Sequence, residues 1–385
     1  MTRSICIVSD GYPTKNDPFF SFVGRLAEAL SEKGVEVFVI SPQSIVKHWF
    51  RGSELHPKYT YIASPNGKAG IHVYQPYLVT FGNRFQTFSK MLSDHATNKA
   101  FKKVQKAAKI DVCYGHFWHS AFRIYPLAKK NSIPLFVACG ESNVILENAF
   151  NKKDAQDFFK YIKGVICVST KNLQESVEAG FTDGGNCVVI PNAINAKLFH
   201  KKDKEALREK YGYSKEDFIV AYCGSFEQRK GSKRLSQAID SLKDSSIKSF
   251  FIGKGLDFRL EDPDCEGILF KGTLGHDVLP DYLNMADVFC LPTLQEGCCN
   301  AIVEALACGL PVISSDRNFN YDILDESNSI MIDPMNVEQI AKAIKLLKDD
   351  KELRQKLADG ALIKGKELSI DQRASKIINF INSKI

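Results

Sequence analysis

Glu296 and Glu304 are residues whose type and spacing could do chemistry together. They belong to the stretch EGCCNAIVEALACGLPVISSD, residues 296–316. The apolar run Val288–Phe289–Cys290–Leu291, stopped by Pro292, reads as a strand. A loop with Glu296 and Gly297 follows, then a helix from about Asn300 that Gly309 ends. Pro311 leads into a new strand at Val312–Ser314. The start of such a helix carries free N–H groups and a partial positive charge, so it suits a phosphate. At ~1.5 Å rise per residue, Asn300 to Glu304 covers roughly 6 Å of one helical face. Two carboxylates so placed can bracket a diphosphate, one reaching a sugar and the other a ribose. The same spacing also fits an ordinary strand–helix unit with solvated glutamates, and geometry alone leaves both open.

The elements around this stretch must supply a sheet whose strand ends carry the loops. A chain of 385 residues is long enough for two domains, each with its own core. Hydrophobic content of 44% and charged content of 25% are ordinary for a soluble globular protein. No apolar run reaches the ~18 residues of a membrane span. The opening MTRSICIVSDG reads as a first strand and not as a signal peptide. The 11 cysteines sit mostly in strand-like runs, as expected for buried free thiols in a reducing compartment. Cys298–Cys299 lack the spacing of a zinc site, and no metal is expected there. Residues 1–195 carry 23 Lys+Arg against 15 Asp+Glu, whereas the remainder carries 28 against 30. Most of that excess lies in residues 45–110, with 11 basic and 2 acidic residues and interleaved aromatics such as Trp49, Phe50, Tyr59, Tyr61 and Phe88. This stretch is either a solvated basic face or a surface for anionic lipid or a lipid-linked diphosphate acceptor. Nucleic acid is disfavoured, since no recognition motif accompanies the charge. The first strand–loop–helix has no G-x-G-x-x-G, which argues against a dinucleotide-dependent oxidoreductase.

Glu296, the seven residues to Glu304, and EALACGLPVI resemble the signature of family-4 glycosyltransferases. The resemblance covers nearly the whole chain in order, strongest over residues 221–316. It implies an α/β chain of GT-B fold, two Rossmann-like domains facing a cleft: residues 1–196 for the acceptor, 197–366 for the nucleotide-sugar, and a helix at 367–385 that returns to the first. GSFEQRKG, residues 224–231, is similar to the family's G-R-L-x-x-x-K-G, with Ser225 in place of arginine and Arg229 beside Lys230. Two cations before a helix would neutralise a leaving diphosphate. Gly224, Gly253, Gly272 and Thr273 fall where the family's donor-binding turns lie, and Gly297, Cys298, Cys299, Asn300 and Ala301 where its phosphate-binding helix starts. Glu296 would then hold the sugar's hydroxyls and Glu304 the ribose. The run Asp111–His116 matches a strand whose final histidine faces the donor sugar, so His116 joins Glu296 and Lys230 as a catalytic expectation. Phe20 and Ser21 occupy the first loop, where the family has glycines, and Glu141 and Asn143 follow a strand end. These four are the expected acceptor contacts. The polar run Lys197–Lys210 reads as the exit from the first domain.

The implied reaction is transfer of a glycosyl group from a nucleoside-diphosphate sugar to a saccharide or lipid-linked acceptor, with retention, no catalytic metal and no further cofactor. Surface polysaccharide or glycolipid synthesis is the implied setting, cytoplasmic or peripheral on the inner membrane face. An epimerase-like nucleotide-sugar enzyme of the same fold, or a non-catalytic partner in a glycosyltransferase complex, are the alternatives. The first would turn over nucleotide sugar without acceptor; the second would have lost donor binding.

Overall fold

The computed structural model describes residues 2–13, 20–51, 55–80, 86–141, 152–255 and 261–385. It divides into two compact units. Unit 1 is Met1–Val168, Asn172–Ile190 and Asp371–Ile385, and unit 2 is Ser169–Lys171 and Pro191–Ile370.

Unit 1 begins β1 (Ser4–Val8), α1 (Ser21–Glu32), β2 (Glu36–Ile40), β3 (Gln43–Ser44), α2 (Ile45–Arg51), β4 (Tyr59–Ala63), β5 (Gly70–Tyr74) and β6 (Tyr77–Leu78). It continues α3 (Gln86–Ala107), β7 (Val112–His116), α4 (Trp118–Lys130), β8 (Leu135–Cys139), α5 (Lys152–Tyr161), β9 (Ile162–Cys167), α6 (Thr170–Glu178) and β10 (Cys187–Val189). Eight strands form one sheet in the order β10-β9-β8-β7-β1-β2-β5-β4. Only β4 runs antiparallel to its neighbour. The central strands β1, β7 and β8 are buried along their whole length, as expected of a parallel sheet covered on both faces. At the edge, β4 alternates exposed and half-buried residues, which fits a strand covered on one side. The basic, aromatic stretch 45–110 thus holds α2, α3 and the three short strands β4, β5 and β6, which its composition alone did not reveal. Residues 371–385 complete this unit: the backbone N–H of Thr2 donates to Asn382 Oδ1 at 2.8 Å, and Phe380 packs edge-on against Phe136.

Unit 2 contains α7 (Lys204–Tyr211), β11 (Phe218–Cys223), α8 (Ser232–Ser241), β12 (Ile247–Ile252), β13 (Ile268–Gly272), α9 (Leu279–Met285), β14 (Val288–Leu291), α10 (Asn300–Ala307), β15 (Val312–Ser315), β16 (Ser329–Ile332), α11 (Val337–Asp349) and α12 (Lys351–Glu367). Its six strands run parallel in the order β13-β12-β11-β14-β15-β16. The winding direction therefore reverses between β11 and β14. In open α/β sheets that reversal opens a crevice at the carboxyl ends of the two strands. Both loops singled out in the sequence, 224–231 and 292–299, leave the sheet at this point.

The run 197–210, read as the exit from the first domain, is helical in its second half: this is α7, capped by Asp203 accepting from the backbone N–H of Ala206. Arg208 is only 2% exposed, and donates through Nη2 to Asp287 Oδ2 at 2.8 Å and through Nε to the Met285 carbonyl at 2.9 Å. A buried, paired arginine is indistinguishable by composition from a solvated one, which is why the run read as polar linker. Among the described residues no helix is long and apolar enough to cross a membrane.

Candidate functional site

Unit 2 builds its crevice from two loops tied to each other. After β11 the chain turns at Gly224 and Ser225, passes Glu227, and enters α8 through Gly231. Gly231 adopts φ 79, and an added Cβ would lie 2.6 Å from the Pro292 carbonyl oxygen, so only glycine brings the two loops this close. Gly253 at the end of β12 is tighter still: its φ is 153 and a Cβ would lie 1.9 Å from the Gly224 carbonyl oxygen. Buried Arg234 staples the loops by donating to the carbonyls of Gln228, Pro292 and Pro334.

Glu296 is the hub. It is 7% exposed, and its Oε1 accepts from Lys230 Nζ at 2.5 Å, Thr293 Oγ1 at 2.8 Å and Arg229 Nη1 at 3.2 Å. Burial disfavours the Lys230 ammonium, but its acidic neighbours, Cys299 and Glu296, outweigh it and hold the pKa above the ordinary lysine value. Burial also pushes the Cys299 thiol up. Beyond Gly297, α10 starts at Asn300. Cys299 precedes it in extended backbone, and its thiol faces the Ala301 and Ile302 N–H groups. The first-turn amides and the positive end of the helix dipole therefore lie in the same loop as the Lys230–Glu296 pair. Glu304, one turn in, is 6% exposed and faces His276 Nε2 at 3.3 Å. Gly272 ends β13, and Thr273 opens the turn that leads to His276. The structure thus groups Gly224, Ser225, Arg229, Lys230, Glu296, Gly297, Cys298, Cys299, Asn300 and Ala301 on two linked loops, with Gly253, Gly272 and Glu304 on adjoining elements of the same unit.

Sequence reasoning missed Glu227, Thr293 and His276. Glu227 Oε1 accepts from Ser225 Oγ at 2.7 Å and from Arg229 Nη2 at 2.8 Å. Glu227 falls at an unspecified position of the 224–231 motif, and Thr293 and His276 lie outside the quoted motifs, so only their bonds to motif residues mark them.

In unit 1 the sheet reverses between β1 and β7, and His116 ends β7 at that point. Its ring lies against Phe22 (centroids 4.9 Å apart) and Phe117 (4.7 Å), and Phe20 packs on Phe22 at 5.3 Å. Phe20 and His116 therefore share one aromatic cluster, while Ser21 opens α1 beside it. Burial first, then the Arg373 guanidinium, push the His116 pKa down to about 3 against the pull of Asp10. His116 is thus a neutral imidazole at physiological pH, able to donate or accept one hydrogen bond but not to carry charge. Glu141 is engaged with the start of α4: Oε1 accepts from the Trp118 N–H at 3.0 Å and Oε2 from the Gly140 N–H at 2.8 Å. Burial raises its pKa, and these backbone bonds oppose the rise. A carboxylate spent on a helix N-terminus has little left for an acceptor. Asn143 and Phe19 lie outside the described residues.

Two doubly wound units, one with paired cations beside a helix start at its switch point, fit the GT-B class of fold. Known proteins agree. The family model "Glycosyltransferase Family 4" matches residues 21–198, and "Glycosyl transferases group 1" matches residues 203–362. The chain belongs to this family of glycosyltransferases. It is 25% identical over 368 residues to a glycosyltransferase of Bacillus subtilis (strain 168) named for teichuronic acid biosynthesis, covering 91% of each chain. It is 27% identical over 237 residues to the UDP-Gal:alpha-D-GlcNAc-diphosphoundecaprenol alpha-1,3-galactosyltransferase of Escherichia coli, covering 55% of this chain and 61% of that one. Its fold matches Anabaena HepE in complex with UDP and glucose, with TM-score 0.70 at 15% identity over 99% of this chain and 100% of that one. The chain is a retaining glycosyltransferase that uses a nucleotide sugar.

Proposed function

We propose that the enzyme transfers a sugar from a uridine-diphosphate donor to a lipid-linked saccharide at a membrane face, in surface polysaccharide synthesis. The uracil base and the lipid-linked acceptor are supported by what the Escherichia coli relative and the Anabaena neighbour are named for. The observation that carries the reading is the Glu296 hub, a buried carboxylate held by two cations beside the start of α10.

In this reading the diphosphate lies against Lys230, Arg229 and the first-turn amides of α10. Their preorganised positive charge stabilises the leaving group as charge develops, with no reorganisation needed at that moment. Glu296 accepts from the donor sugar's hydroxyls, and Glu304 from the ribose hydroxyls. The acceptor hydroxyl attacks from the face the diphosphate leaves, and the departing phosphate oxygen takes its proton. Neutral His116 offers one hydrogen bond to a sugar hydroxyl. Glu141 serves the acceptor indirectly, by fixing α4, and Phe20 and Ser21 line the acceptor side.

The membrane part rests on unit 1. Trp49 and Phe50 on α2 are 73% and 82% exposed, and Phe88 and Met91 at the start of α3 are 49% and 62% exposed. Lys90, Lys99, Lys102, Lys103 and Lys106 on α3 are exposed as well. Exposed aromatics beside a lysine-rich helix fit an anionic lipid surface.

The test is incubation of the purified protein with vesicles carrying an undecaprenyl-diphosphate saccharide and a panel of nucleoside-diphosphate sugars. Mass spectrometry reads transfer, and the anomeric proton coupling reads stereochemistry. A product with the donor's anomeric configuration is expected. Nucleotide-sugar conversion at equal rate without acceptor would replace this reading with an epimerase.

A further inference from the structure

We infer that Glu227, assisted by Ser225, is a positioning residue that aims Arg229 at the donor's diphosphate. The inference rests on the reading that the unit 2 crevice holds a nucleoside diphosphate. The loop from Gly224 to Gly231 is organised on Glu227. Its side chain accepts from Ser225 Oγ (2.7 Å) and Arg229 Nη2 (2.8 Å), and its carbonyl accepts from the N–H groups of Lys230 (3.0 Å) and Gly231 (3.1 Å). One residue thus sets both the backbone under the two cations and the direction of one of them. The Tyr222 hydroxyl donates to the Ser225 carbonyl at 2.8 Å and holds that end of the loop.

Arg229 differs from the structural arginines of the same unit. Arg208 and Arg234 are 2% and 8% exposed, and both spend the guanidinium on carbonyls or a buried carboxylate. Arg229 keeps a side chain that is 35% exposed. Of its five N–H groups, three are used, on Glu227, Glu296 and the Gln295 carbonyl. Nε–H and one Nη2–H are left for a ligand, beside the Lys230 ammonium. A carboxylate so close to a phosphate site repels the phosphate. Glu227 lowers affinity by its charge and raises it by fixing Arg229, and the positioning term is the larger, because a flexible arginine loses side-chain entropy on ordering.

Calorimetric titration with UDP and with UMP separates the two terms. Arg229→Gln should weaken UDP about tenfold, the loss of one charged hydrogen bond, and leave UMP unchanged. Glu227→Ala should weaken UDP several-fold, ~3 to 5 on the same scale. Glu227→Gln, which keeps the acceptor oxygen and drops the charge, should bind UDP as tightly as the native protein or more tightly. In an Arg229→Gln background, Glu227→Ala should no longer weaken UDP: the positioning effect is gone, and removing the repelling charge leaves binding equal or tighter. Thermal melting confirms that each variant is folded. Tighter UDP binding by Glu227→Ala, or an undiminished effect in the double variant, overturns the inference. If Lys230→Ala abolishes the preference for UDP over UMP while the Glu227 variants leave it intact, the diphosphate site stands and Glu227 has no part in it. If the native protein does not distinguish UDP from UMP, the site reading itself fails.

Discussion

Glu296→Gln separates the stability of the empty crevice from its chemistry. The native carboxylate accepts from Lys230, Thr293 and Arg229 on one oxygen and is 7% exposed. Glutamine keeps the shape and can still accept from Thr293, but its charge is gone. Lys230 then loses its carboxylate partner, and Arg229 keeps only Glu227. Removing one partner of a buried pair costs about 3–5 kcal/mol. The Arg229 side chain is 35% exposed and water can reach it, so screening reduces this to about 2–3 kcal/mol. For a unit of this size that lowers the melting temperature by roughly 4–12 °C. The diphosphate supplies the missing negative charge, so UDP should bind the variant at least as tightly as the native protein and restore much of the melting temperature. Turnover goes the other way. Each sugar hydroxyl bonded to a carboxylate is worth about 1.5 kcal/mol or more, so two such bonds amount to about 3 kcal/mol, or roughly 100-fold in rate. The assays are differential scanning fluorimetry with and without UDP, and initial rates of acceptor-dependent UDP release. Turnover within fivefold of native, together with lost UDP binding, would refute the placement of Glu296 at the sugar.

Further outcomes follow from the same geometry. Lys230→Ala should weaken UDP binding and cut turnover by about 100-fold, because preorganised charge at the leaving group is lost; steady-state kinetics measure it. Gly253→Ala forces a Cβ to 1.9 Å from the Gly224 carbonyl oxygen at φ 153. Strain of this kind costs about 2 kcal/mol or more, and a fall in melting temperature of several degrees is expected. His116, with its pKa pushed down to about 3, stays neutral in the folded protein where the unfolded chain takes up a proton below about 6.5. Stability is therefore lost as pH falls from 6.5 towards 3. Urea unfolding at pH 7.5 and 5.5 should show the native protein losing about 1 kcal/mol more than His116→Gln. Replacing four of the exposed α3 lysines by glutamine should weaken binding to anionic vesicles by about 1 kcal/mol per charge, read by co-sedimentation; unchanged binding contradicts the membrane reading.

Much of unit 2 was legible because its strands are short apolar runs closed by glycine or proline, and its key loops carry glycines that no other residue can replace. Gly231 and Gly253 are such positions. The pairing of Lys230 with Glu296 was not legible: 65 residues separate them, and only the order of parallel strands brings β11 beside β14. The part played by Glu227 was hidden for a similar reason, since nothing in its type distinguishes a loop glutamate that holds an arginine from one in solvent. In unit 1 the region 45–110 was read by charge and not by periodicity, because α3 mixes buried Phe101 and Val104 with exposed lysines and edge strand β4 is half solvated. Glu141 was placed correctly at a strand end, but its use as the cap of α4 depends on the neighbouring strand.

Crystals grown with UDP test the central claim most directly. Density for the diphosphate is expected within hydrogen-bonding distance of Lys230 Nζ and the amides at the start of α10, with the ribose hydroxyls on Glu304. UDP bound elsewhere, with Lys230 still paired only to Glu296 and the α10 amides facing protein or bulk water, would contradict it.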